Sequence, residues 1–200
     1  MLEKLKALNA NRWAHMKINE SAISELDHVA MRLVSSKDRY LNVEEKTKVP
    51  WFVIAVIHER EASQSWTANL AQGDPFNRRS THVPRGEGPF SSWEEAAIHA
   101  LVHDDHLDRW GDWSIGGLLT ALEKFNGLGY YNRKKPSPYI WAKTNQYNSG
   151  KYTSDGHYDP NAVDHQNGCA GLLARMQDID PSITLKETND QTTKRNQASE

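Results

Sequence analysis

The sequence holds a single cysteine, Cys169, in 200 residues. That excludes an internal disulfide framework, and the thiol sits in an apolar helical run beside Ala170-Gly171-Leu172, where packing is its expected task. Charge of one sign is also lacking. The 24 Lys and Arg residues stand against 26 Asp and Glu, a net charge of −2, so no global field draws the chain to nucleic acid or an anionic membrane. No apolar run approaches the ~20 residues that a bilayer-spanning helix needs, so membrane insertion is not expected. The opening MLEKLKALNANRW has basic residues but no apolar segment or small-residue cleavage site, and it does not read as an export signal. P-loop and GxGxxG motifs are missing, as is a basic stripe with interleaved aromatics, which leaves nucleotide and nucleic-acid roles without support.

Helical periodicity is present from the start: Leu2, Leu5 and Leu8, then Ile23, Leu26, Val29, Ala30 and Leu33, with Asn19 or Ser21 as the cap before the second run. Lys48-Val49-Pro50 opens a helix with Pro in its first turn, expected to run to about Ser63. Residues 66–90 carry Gly and Pro without helical period, and a hairpin is expected around Gly73-Asp74-Pro75. Ser92 with Glu95 forms a capping box for a helix to about His106. Another helix follows Asp112-Trp113-Ser114 and closes at Gly127. Residues 128–161 read as a long aromatic loop, Ala162–Met176 as a last helix, and 186–200 as a polar disordered tail. The expected fold is mainly α, one helical domain over residues 1–185 with a small β-hairpin insert flanking a cleft.

Two features carry chemistry. Seven Trp and seven Tyr are many for this length, and several lie among Asn, Ser and Gly. Rings in such company suit a sugar cleft, because the apolar face of a pyranose stacks on an aromatic while amides bond its hydroxyls. The second feature is PWFVIAVIHEREAS, an apolar helix that ends in two carboxylates, Glu59 and Glu61. On a 3.6-residue period Glu61 continues the stripe of Ile54 and Ile57, while Glu59 points about 200° away. Burial at the tip of that stripe would raise a carboxyl's pKa and hold the proton that a general acid needs. His99, His103 and His106, with Asp104 and Asp105 among them, offer metal-ligand types. HEXXH is absent, the charges suit a solvated helix end, and neither metal nor other cofactor is expected.

An apolar helix ending in Glu-Ala-Ser, followed by a polar Gly-rich hairpin and later by Phe125-Asn126-Gly127-Leu128-Gly129-Tyr130, resembles the lysozyme superfamily. Phage endolysins and soluble lytic transglycosylases are the members it is most similar to. Glu61 matches the family's acid, although the usual adjacent Ser is displaced by one, which keeps Glu59 in play. The resemblance spans residues 38–175 or so.

The resemblance implies a lysozyme-like α+β fold that binds peptidoglycan glycan strands and cleaves the bond between N-acetylmuramic acid and N-acetylglucosamine. Glu61 would be the acid and Asp74 the second carboxylate, with Glu87 in reserve. Gln72, Asn126, Tyr130, Tyr139, Trp141, Gln146 and Tyr147 would line the cleft. A monomeric endolysin is implied, held in the host cytoplasm until released to the wall. A lytic transglycosylase using the same acid, a non-catalytic glycan-binding or phage structural module, and a chitinase-like hydrolase remain open.

Overall fold

The structure, a computed structural model, describes residues 1–71, 73–82 and 85–187. Gln72 and the tail from 188 onward therefore lie outside the described residues. The backbone divides into two compact units, Val29–Trp110 in the middle of the chain, and Met1–His28 with Gly111–Glu200 at its two ends. The helix α2 (Ile23–Ser35) straddles the division.

In the middle unit, α3 (Lys37–Thr47) packs against α4 (Trp51–Ala62) and α5 (Trp93–His99). The polar sequence of α3 hides its stripe: only Tyr40, Val43 and Thr47 are buried, at intervals of three and four. Lys48 ends α3 in the left-handed region (φ 63°), its N–H bonded to the Glu44 carbonyl. The Glu44 carboxylate then accepts the Trp51 N–H at 3.1 Å, satisfying one of the open donors at the start of α4. From Trp51 to Ile57 every residue of α4 except Phe52 is buried. Burial of an aliphatic side chain contributes about 1.5–3 kcal/mol, so this one helix anchors the unit's core.

Between α4 and α5 none of the described residues lies in a strand. An antiparallel bridge joins Ala68 to Pro75, and Asn69 closes the turn by donating its N–H to Asp74 O and accepting Gly73 N–H. Ser92 caps α5 as expected, its Oγ accepting Glu95 N–H at 3.1 Å. Glu95 bonds Ser91 in place of the Ser92 backbone, so only half of the capping box forms. The helix then widens into a π turn over Ala100–Asp104.

In the terminal unit α1 (Leu2–Ala14) packs against α6 (Ile115–Phe125), and buried Asn9 donates to Thr120 Oγ1 and Glu123 Oε2. Ser114 caps α6, and Gly127 (φ 94°) follows its end. The stretch expected as a loop contains two four-residue helices, α7 (Gly129–Asn132) and α8 (Pro138–Trp141), and the hairpin β1 (Lys151–Ser154) with β2 (His157–Asp159). Single helical turns are too short to show a period, which is why they read as loop. The fold is thus mainly helical with a two-stranded antiparallel sheet, and that sheet lies at 151–159 instead of near Gly73.

The last helix, α9, spans Cys169–Ile179 and starts seven residues later than expected. Gly168 precedes it in extended conformation, and a Cβ there would fall 2.6–2.7 Å from the Ala142 carbonyl oxygen, the Ala142 nitrogen and the Ile140 carbonyl oxygen. Backbone against backbone leaves no room to yield, so Gly168→Ala is expected to cost about 1–3 kcal/mol by overpacking. Urea unfolding of the variant measures this; unchanged stability would show that the α8–α9 junction is looser than described.

Candidate functional site

The C-terminal end of α4 is built around His58. Its Nδ1 accepts the Tyr40 hydroxyl at 3.0 Å and its Nε2–H donates to the Ser65 carbonyl at 3.0 Å, so the neutral ring has both nitrogens satisfied. Trp66 and Trp93 stand with ring centroids 4.5 Å from the imidazole and 4.6 Å from each other. Arg39 covers Trp66 at 3.8 Å and bonds the Glu94 carboxylate through Nε and Nη2, both at 2.7 Å. This combines a cation–π contact with a charge-assisted pair. Burial, with the nearby Arg39 charge adding to it, drives the His58 pKa down to about 4, against the opposing pull of Ser65. Burial likewise pushes the Tyr40 hydroxyl up, so it remains a donor.

This network fixes the exit from the helix. Ser63 (φ 48°) and Gln64 (φ 62°) are both left-handed without being glycine, and their N–H groups bond the Glu59 and His58 carbonyls. Two such residues in succession are a local strain that the surrounding packing has to hold, and such strain gathers at functional positions.

The two candidate acids occupy this exit. Glu59 is half-buried and accepts the Gln64 amide at 2.7 Å. Glu61 is exposed, which corrects the expectation that it extends the buried stripe. The reason is that α4 is apolar all round and has no single buried face, so helical phase carries little information. His58 and Arg60 are the residues covered in the last turns. The chain at Gly73 passes beside this turn; a Cβ built there would lie 4.0 Å from the Glu61 carbonyl oxygen.

Asp74 follows directly. Its carboxylate accepts N–H bonds from Thr81 (2.7 Å) and His82 (3.0 Å) and meets His82 Nδ1 at 2.8 Å. The His82 and Thr81 backbone donors hold its pKa down to about 2, so it stays ionised at any ordinary pH. Glu87, the reserve carboxylate, sits instead with His99 and Asp104, each 3.8 Å from His99 Nδ1. Among the described residues these three form one group of metal-ligand types, with ligand atoms all within 4.8 Å. Burial, and then the neighbouring Glu87, raise the Asp104 pKa. His103 is exposed and stacks on His99 at 4.8 Å, while the His106 ring bonds the Val102 carbonyl, so the three histidines do not converge.

The expected sugar wall is also corrected. Tyr130, Tyr139, Trp141 and Tyr147 are buried in the terminal unit, at 7%, 3%, 0% and 5% exposure, and rings covered by the protein offer no face to a sugar. The Tyr130 hydroxyl accepts Tyr152 N–H, and Tyr147 bonds Gly150 O and Asp164 N–H. Gln146 turns to the His15 carbonyl and Asn145, and Asn126 is an exposed cap of α6. Tyr152 and Tyr158 are among the half-buried aromatics of that unit, with the Arg133 guanidinium 4.7 Å from the Tyr158 ring. A separate groove of about 440 Å³ is lined by Leu5, Arg12, Glu123, Tyr131, Lys134 and Lys135.

The cluster around His58 went unread in the sequence, although a histidine inside WFVIAVIH was a signal of a satisfied buried polar group. Comparison with protein families, with curated proteins and with solved structures gives no match for this chain.

The His58 environment makes a testable demand. An unfolded histidine binds its proton near 6.5, the folded one only near 4, so between these values the unfolded state holds more protons. Stability is therefore complete above about pH 6.5 and is lost as pH falls towards 4, by roughly 3 kcal/mol. Urea unfolding followed by Trp fluorescence at pH 7 and pH 4.5 measures the loss. His58→Gln is expected to lower stability at pH 7 and to flatten the pH dependence; an unchanged slope would contradict the assignment.

Proposed function

We propose that this chain is a glycosidase of the bacterial cell wall, an endolysin-type muramidase whose general acid is Glu61. The observation that carries the reading is an accessible carboxyl on the last turn of α4, at a strained helix exit, beside a loop that keeps Asp74 ionised. An exposed carboxylate gains acid character when a bound sugar displaces water from it, because losing solvent disfavours the charged form. Glu61 would then protonate the bridging oxygen between N-acetylmuramic acid and N-acetylglucosamine. The fixed negative charge of Asp74 would favour the oxocarbenium ion that develops. Glu59, engaged by Gln64, would hold the exit turn in place. Among the described residues no helix is long and apolar enough to cross a membrane, which suits a protein that reaches the wall only once the host membrane fails.

One observation favours a second reading. The Asp74 carboxylate is occupied by Thr81 and His82, and a nucleophile or base would have to give up those bonds. A lytic transglycosylase needs no second carboxylate, since the sugar's own 6-hydroxyl attacks, and it would use the same Glu61.

Digestion of purified murein sacculi tests both. Glu61→Gln is expected to lower turnover by about 10²–10⁴, the usual worth of a general acid, while Glu59→Gln retains most of it. Mass spectrometry of the products separates the chemistries: reducing ends indicate hydrolysis and 1,6-anhydro ends indicate transglycosylation. Full activity in Glu61→Gln would refute the assignment, and no release by the wild-type protein would leave a non-catalytic glycan-binding module.

A further inference from the structure

We propose that Glu87, His99 and Asp104 form a binding site for one divalent cation of the zinc class, which fastens the chain at Glu87 to the end of α5. Glu87 comes from the chain before α5, while His99 and Asp104 lie on one continuous helical stretch, α5 and the π turn that follows it. An α-helix turns 100° per residue, so positions five apart lie about 140° from each other and do not share a face. The π turn changes that. Asp105 N–H bonds Ala100 O, five residues back, and in the widened turn Asp104 comes round to the side of His99. Single π turns inside helices recur at functional sites.

The donor set suits a borderline cation, one imidazole nitrogen with two carboxylates, since imidazole favours zinc and its neighbours over calcium or magnesium. His99 Nδ1 stands 3.8 Å from Glu87 Oε2 and 3.8 Å from Asp104 Oδ2. Tetrahedral zinc with bonds of about 2.0–2.1 Å needs its ligand atoms ~3.3 Å apart, so each of these two pairs has to close by roughly half an ångström, within the reach of side-chain rotation. A second observation points into the same space. Asp104 Oδ2 is buried with no hydrogen-bond donor on it, and the side chain that faces Asp104 is the Glu87 carboxylate, an acceptor like itself. Oδ2 lies beyond hydrogen-bonding distance of the imidazole, and a buried carboxylate oxygen left so is costly. A cation between the three groups satisfies it. The remaining coordination position is left for water or another ligand.

Among the described residues next to Glu87 none lies in a strand. Ser80 N–H bonds Glu87 O, and Glu87 N–H bonds Ser80 Oγ. The next two residues, Thr81 and His82, are those whose N–H groups hold Asp74. A cation on Glu87 therefore secures the segment that fixes the Asp74 charge. Only this last consequence rests on the glycosidase reading; the binding itself does not.

The test uses the full chain and zinc ions. Isothermal titration is expected to show one equivalent of Zn²⁺ bound, lost in His99→Ala and in Asp104→Asn but kept in His103→Ala. Zn²⁺ is also expected to slow tryptic cleavage at Arg78, Arg79 and Arg85 in the wild-type protein and not in His99→Ala. Should a variant fail to fold, ¹⁵N spectra of the wild-type imidazoles decide the matter, because Zn²⁺ must shift the Nδ1 resonance of His99. No zinc binding by the wild-type protein, binding that survives His99→Ala, or a shift confined to His103 and His106 would each overturn the site. These readouts are independent of wall cleavage, so failure of one proposal is distinguishable from failure of the other.

Discussion

The middle unit depends on keeping one imidazole dry and neutral. His58 lies at the point where α4 stops being surrounded, and it draws on three elements at once: the Tyr40 hydroxyl from α3, the Ser65 carbonyl from the exit turn, and the indoles of Trp66 and Trp93. Each partner answers a need set by burial. A neutral imidazole has one donor and one acceptor to satisfy, and an unmet one would cost about 1–3 kcal/mol. With both met, the turn at Ser63 and Gln64 is held in a backbone conformation that neither residue adopts freely. Arg39 closes the group by lying over Trp66 while its charge is balanced by Glu94.

What that constraint does for chemistry is positional. The last turn of α4 carries Glu59, bonded by Gln64, and the exposed Glu61, and the chain returns past it at Gly73 to the locked carboxylate of Asp74. Two carboxylates in different environments is a division that acid catalysis at sugars can use, and the proposed roles of Glu61 and Asp74 rest on it. Here the charged one is secured by backbone N–H donors from Thr81 and His82, so its state is set by the fold of the loop and hardly by pH.

Much of this was legible in the sequence where a pattern ran long enough to be seen. The apolar run from Trp51, the Ser92 cap, the helix start after Ser114 and the Gly127 stop all appear where read. The failures have particular causes. Helix α3 was hidden because only Tyr40, Val43 and Thr47 face inward from an otherwise charged segment. Glu61 was read as buried from helical phase, yet phase says nothing on a helix apolar on every side, and the end of the surrounding layer decides exposure. The tyrosines and Trp141 of the presumed wall were read as exposed from their polar neighbours in sequence, but short turns and the 151–159 hairpin fold those rings inward. Glu87 meeting His99 and Asp104 required a π turn, which no spacing rule anticipates.

The central claim is that the α4 exit is where a glycan strand is held. Titrating a soluble murein disaccharide–peptide fragment into ¹⁵N-labelled Glu61→Gln, which removes the proposed acid, tests it most directly. The account predicts amide shifts centred on residues 59–65 and on Gly73 to Asp74, with the His58 network intact. Shifts confined to the terminal unit, or none at saturating ligand, would contradict it.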